Sequence, residues 1–199
     1  MTSSAVCESV WPWEHLAFGY LLYSVAARVR SSPLTRGEAL AVAVGTQFPD
    51  VVDKPLAWGL GVLPGGVLAH TLVVAVPASG VALLVARWRD RTAAGAAFAV
   101  GYLSHLVGDV LFTLLTSGGL AYRMLLWPFV ANPTGIQRGI TESVAYYFAN
   151  YLVFLATPRG AVYAALEVAL LGAAVLAWTT DGRPGAGVVR TAIDRAWAG

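Results

Sequence analysis

The chain has 199 residues, of which 57% are hydrophobic and only 12% charged, with a mean hydropathy of +0.66. These values exclude an ordinary soluble domain and describe one membrane-embedded domain over residues 1–199, with a core at 11–179 and a cytoplasmic tail at 180–199. Thirteen basic and eleven acidic residues leave a formal charge of +2 spread between segments, so no nucleic-acid partner is expected.

The expected fold is all-α, a polytopic membrane bundle of four to six embedded helices, one of them short or re-entrant. Residues 1 to 13 lack the uninterrupted apolar core of a cleavable signal peptide, so insertion is expected to rely on internal segments. Residues 11 to 29 read as a first helix, opened by Trp11 and Trp13 and closed by Arg28 and Arg30. Residues 36 to 48 form a shorter apolar stretch that Pro49 is expected to end, because proline disfavours helix at the residue before it. A Gly- and Pro-rich loop is expected over 51–66.

A span is predicted from about Pro64 to Val85, with His70 roughly 9 Å below its outer end at the α-helical rise. The basic loop Arg87 to Arg91 follows, then a span over 92–116 that contains His105 and Asp109. Beyond it, 140–156 has a polar stripe of Glu142, Tyr146 and Asn150, and 160–178 reads as a last span despite Glu167. The positive-inside rule makes the arginine-bearing ends cytoplasmic, which sends His15, Asp50, His70, His105 and Asp109 to the outer half of the membrane or its outer surface.

Ionisable groups in an apolar span are costly and usually functional. His105 and Asp109, four residues apart, share one helix face as two ligands of one ion would. Cys7, the single cysteine, excludes an intrachain disulfide and a thiolate cluster, so a metal here needs nitrogen and oxygen ligands. Imidazole with carboxylate suits zinc, manganese or iron, and a metal-activated water would attack an ester or phosphoester. Each residue also has a plainer reading: His105 as a hydrogen bond across a helix interface, His15 as an interfacial side chain, Asp50 and Asp53 as helix-end groups.

The order His15-Leu-Ala-Phe-Gly, Gly45-Thr-Gln-Phe-Pro-Asp50-Val-Val-Asp53, Ala69-His70-Thr71, Gly101-Tyr-Leu-Ser-His105-Leu-Val-Gly-Asp109 and Leu126-Trp-Pro-Phe129 resembles the membrane-bound metal-dependent hydrolases that include the LexA-regulated inner-membrane proteins of bacteria. A fainter likeness is to zinc-dependent phospholipase C. The resemblance implies His15, Asp50, His70, His105 and Asp109 as metal ligands and Asp53 as a further ligand or acid/base group. One departure is Gly65-Gly-Val-Leu-Ala-His70-Thr71, with a single histidine and no arginine where the family often carries two histidines and an arginine.

The expected function is therefore an inner-membrane, multi-pass hydrolase acting on an ester or phosphoester, a lipid among them, at the exterior side. Position nominates Asp53 or Glu142 to move protons and Arg123 or Arg138 to hold an anionic group. The alternatives are a non-enzymatic protein that binds or conducts a metal ion or proton, and a haem carrier using His70 and His105.

Overall fold

The computed structural model describes residues 10–63, 68–119, 122–131 and 139–187. The described residues form helices and no strand: α1 (Pro12–Val29), α2 (Arg36–Lys54), a π-helical turn (Pro55–Gly59), α3 (Leu72–Trp88), α4 (Thr92–Ser117), the short α5 (Tyr122–Leu125), α6 (Ile140–Leu155) and α7 (Pro158–Thr180). This is a membrane helical bundle. Two helices are long and apolar enough to cross a membrane, at Thr92–Thr116 and Pro158–Thr180, and Leu72–Trp88 is a shorter apolar helix. Leucines and valines are exposed on all three, as hydrocarbon-facing surfaces require. The tail arginines Arg190 and Arg195, Arg138 and Cys7 lie outside the described residues.

The bundle has two chemically different ends. At one, Arg28 lies in the last turn of α1, Arg36 opens α2, Arg87 lies in the last turn of α3 and Arg91 precedes α4. Here the Tyr23 hydroxyl donates to Glu38 Oε1 at 2.7 Å and lies 3.0 Å from the Ala93 carbonyl, tying α1, α2 and the start of α4 together. Glu38 also closes a capping box with Thr35, accepting from the Thr35 N–H at 2.8 Å while its own N–H donates to Thr35 Oγ1. Asp181, just past α7, accepts from Tyr20, Ser24 and Arg28, so α7 is pinned to α1 at this end. At the other end Glu167 accepts from the Trp13 indole at 2.7 Å and from the Tyr151 hydroxyl, and Glu14 accepts from Tyr163. Glu167, an anomaly in an apolar sequence segment, is thus held by hydrogen bonds from two neighbouring elements.

Three expectations are corrected. Pro49 does not end α2; it is fully buried within a helix that runs five residues further. A helix-interior proline costs ~3 kcal/mol, and packing against α4 outweighs it. An added Cβ at Gly45 would stand 2.3 Å from the Phe98 carbonyl, and one at Gly101 2.5 Å from the Val42 carbonyl, so these helices meet backbone to backbone. The expected loop over 51–66 is consequently helical as far as Gly59. His70 is not inside a span either: α3 starts at Leu72, capped by Thr71 Oγ1 accepting from the Val74 N–H, and His70 sits just before it. The hydroxyl of Thr71 supplies a helix start that apolar composition alone conceals.

Alanine at Gly45 or Gly101 is expected to lower the melting temperature in detergent, each costing about 1–3 kcal/mol from forced separation of the helices. Gly80→Ala and Gly172→Ala, whose new methyls meet nothing within 4 Å, should melt at or slightly above wild type. Equal melting of all four variants would contradict the close contact.

Burial opposes charge on Asp181, but hydrogen bonds from Ser24, Tyr20 and Arg28 hold its carboxyl below the usual aspartate range. The native state therefore binds this proton less tightly than the unfolded chain, and the stabilisation is complete above about pH 4 and lost as pH falls further. The melting difference between wild type and Asp181→Ala should be constant above that pH and shrink below it.

Candidate metal centre

The end of the bundle opposite the arginines gathers His15 from the first turns of α1, Asp50 and Asp53 from the end of α2, His70 from the segment before α3, and His105 and Asp109 from α4. All five expected ligands converge. One donor atom each from His15, Asp50 and His105 lies within 4.8 Å of the others, as does one each from His70, His105 and Asp109.

The orientation of the two central rings follows from what their Nδ1 atoms touch. His105 Nδ1 is 2.6 Å from the Thr46 carbonyl oxygen, which can only accept, so Nδ1 carries the proton. His70 Nδ1 donates to Asp53 Oδ2 at 2.7 Å. Asp53 is closed to solvent and its two oxygens also accept from the Ala69 N–H at 2.9 Å and the His70 N–H at 3.2 Å. Three donors and no exposure make Asp53 a clamp on the His70 segment. Tyr102 completes it by donating to the Ala69 carbonyl at 2.7 Å.

With both Nδ1 atoms engaged, the two Nε2 atoms face each other across 3.1 Å, a separation that a proton on either ring bridges and that a cation held by both neutral rings would also span. His70 Nε2 is 3.5 Å from Asp50 Oδ1 and 3.8 Å from Asp109 Oδ2; His105 Nε2 is 3.9 Å and 3.5 Å from the same atoms. Two imidazole nitrogens and two carboxylate oxygens thus lie close together. Asp109 Oδ2 is buried and has no hydrogen-bond partner among the described residues. A divalent cation would compensate such a set, as would a proton shared at Nε2. Two imidazole nitrogens bound to one tetrahedral zinc at ~2.0–2.1 Å are about 3.3 Å apart, close to the observed separation. The protonated Nδ1 atoms held by a carboxylate and a carbonyl match the outer-shell pattern of metal-binding histidines.

The remaining residues take unequal places. The His15 ring stacks on His105 with centroids 3.6 Å apart, and its Nε2 faces Asp109 Oδ1 at 3.4 Å. Glu142, in the first turn of α6, and Arg123, in α5, are exposed, and no hydrogen bond or ion pair among the described residues links either to the cluster. Arg138 lies outside the described residues. The cation that does stand at the cluster is Lys54: its ammonium is 2.5 Å from Asp50 Oδ2 and 5.5 Å above the Trp58 ring. Sequence reasoning missed Lys54 and Thr46. Lys54 follows Asp53 and lies four residues after Asp50, a helical spacing hidden by the assumption that Pro49 ends the helix. Thr46 acts through its backbone, which leaves no trace in residue type.

Comparison with known proteins corrects the resemblance drawn from the motif order. The family model that matches, over residues 11–183, is described as YdjM inner membrane protein, and that description carries neither a hydrolase nor a zinc-dependent phospholipase C. No curated protein and no solved structure matches the chain. The match covers most of the sequence, and the chain belongs to the YdjM inner membrane protein family.

Proposed function

We propose that this inner-membrane protein is a metal-dependent hydrolase of esters or phosphoesters. The observation that carries the reading is the pair of Nε2 atoms 3.1 Å apart, flanked by Asp50 and Asp109, with the Nδ1 of each ring tied to a fixed acceptor. His70, His105, Asp50 and Asp109 would hold a divalent ion, zinc first and manganese or iron next by the nitrogen and oxygen donor set. When bound, such an ion supplies Lewis acidity and an activated water. The chain's own residues do the rest. Asp53 and the Thr46 carbonyl fix the two imidazoles in the tautomer that offers Nε2. His15 orients Asp109 from its far oxygen. Lys54, drawn to Asp50 and backed by Trp58, is the charge that an anionic substrate group meets at the rim, a role for which neither Arg123 nor Glu142 has a supporting contact.

Two alternatives have less support. A haem between His70 and His105 needs an iron and a porphyrin plane between nitrogens that are only 3.1 Å apart. An ion pathway needs polar space toward the arginine end, whereas α2 and α4 touch backbone to backbone at Gly45 and Gly101, directly beside the cluster. Orientation follows from the positive-inside rule: the arginine-bearing end is cytoplasmic and the cluster faces the exterior, with the chain crossing several times.

Protein purified with metal-replete buffers is expected to carry a stoichiometric divalent ion by elemental analysis. His105→Ala and Asp109→Ala should lose it, and Asp53→Asn, which only loosens His70, should weaken affinity about 10- to 100-fold. Hydrolysis of a generic phosphodiester should stop on chelation and return with metal. Folded wild-type protein that binds no ion under these conditions would sink the proposal, and bound ion without turnover would reduce it to a metal-binding protein.

For orientation, a cysteine replacing the exposed Val51, in a Cys7→Ser background, should react with an impermeant maleimide in intact cells. Labelling only after lysis would invert the arrangement.

A further inference from the structure

A groove of about 240 Å³ lies between α1, α4 and α7, one imidazole away from the cluster. Its walls are mostly hydrocarbon, with Phe18, Leu111, Leu115, Leu166 and Leu170 among them. Glu14 and Glu167 also reach it, but both are already engaged, Glu14 by the Trp11 N–H and the Tyr163 hydroxyl, Glu167 by Trp13 and Tyr151. They ask nothing of an occupant.

His15 forms the inner wall. Its Nε2 faces the carboxylate of Asp109, which accepts, so Nε2 carries the proton and Nδ1 is a bare acceptor. That Nδ1 is buried and without a hydrogen-bond partner among the described residues. Gly108, which also lines the groove, lies beside it: a Cβ at that position would stand 3.2 Å from Nδ1. One acceptor nitrogen in a hydrocarbon wall suits a ligand with a long apolar part and a single donor such as a hydroxyl beside it. Leu111 and Leu115 of α4 and Leu166 of α7 line the groove and are exposed on the apolar surface, so it opens onto the lipid phase. The occupant therefore comes from the bilayer.

We infer that this groove is the chain-binding subsite of the centre and that the substrate is a membrane lipid. Its acyl chain lies along Leu111, Leu115 and Leu166, and a hydroxyl-type donor reaches His15 Nδ1. The word substrate rests on the hydrolase reading above; lipid occupancy of the groove does not.

The test is photolabelling in phosphatidylglycerol nanodiscs that contain an analogue with a diazirine midway along one acyl chain, followed by peptide mapping. Adducts are expected to concentrate on residues 111–115 of α4 and 166–170 of α7, well above the level on Val76 and Val81, which are exposed on α3. Leu115→Trp and Leu166→Trp alter half-exposed, lipid-facing side chains and fill the groove. Displacing about two methylenes of the chain is expected to cut groove adducts about tenfold. Uniform labelling of α3, α4 and α7 overturns the inference, as does undiminished groove labelling in both variants when they melt like wild type. Metal content is read on the same samples. Groove labelling without bound metal keeps the lipid site and retires the substrate assignment, whereas bound metal with uniform labelling retires the groove alone.

Discussion

The contact between α2 and α4 at Gly45 and Gly101 is the constraint on which the rest depends. Backbones this close bring the Thr46 carbonyl to within 2.6 Å of His105 Nδ1, and that single hydrogen bond sets the tautomer and the direction of the ring. The same contact carries α2 past Pro49, so that Asp50, Asp53 and Lys54 remain on a helix and in register with α4. Two glycines that could pass for loose packing thereby position one imidazole and two carboxylates.

The second organising force is the cost of polar groups in hydrocarbon. Four acidic side chains outside the cluster find neighbours: Glu14 and Glu167 take hydroxyl and indole donors, and Glu38 and Asp181 take donors at the arginine end. The cluster around His70 and His105 is different, because two imidazoles and two carboxylates crowd together and Asp109 Oδ2 has no hydrogen-bond partner among the described residues. Elsewhere in the bundle hydrogen bonding explains why a polar residue is tolerated; here it explains only the outer face of each ring. This imbalance separates a candidate site from structural polarity.

Much of this was legible in the sequence. Helix boundaries at α1, α4 and α7 follow from apolar runs bounded by aromatic and arginine residues, and the convergence of His15, Asp50, His70, His105 and Asp109 follows from alternating the direction of those runs. The less legible parts have physical reasons. Pro49 carries an intrinsic penalty that only a packed neighbour offsets. His70 lies in an apolar stretch whose helix start depends on the Thr71 hydroxyl, and composition averages that hydroxyl away. Glu142 and Arg123 looked eligible by residue type, but eligibility needs proximity, and the fold leaves both exposed.

The sequence by itself determined that the chain is a membrane helical bundle, which polar residues are too costly to be incidental, and which end of the bundle they share. Those conclusions depend on composition, period and charge, which are additive along a chain. Only the tertiary structure decided which nitrogen of each histidine is free, that Asp53 clamps and Lys54 flanks, and that a groove reaches His15. Each of these depends on where a backbone carbonyl, a missing methyl or a neighbouring helix stands in space, and residue order does not encode such distances locally.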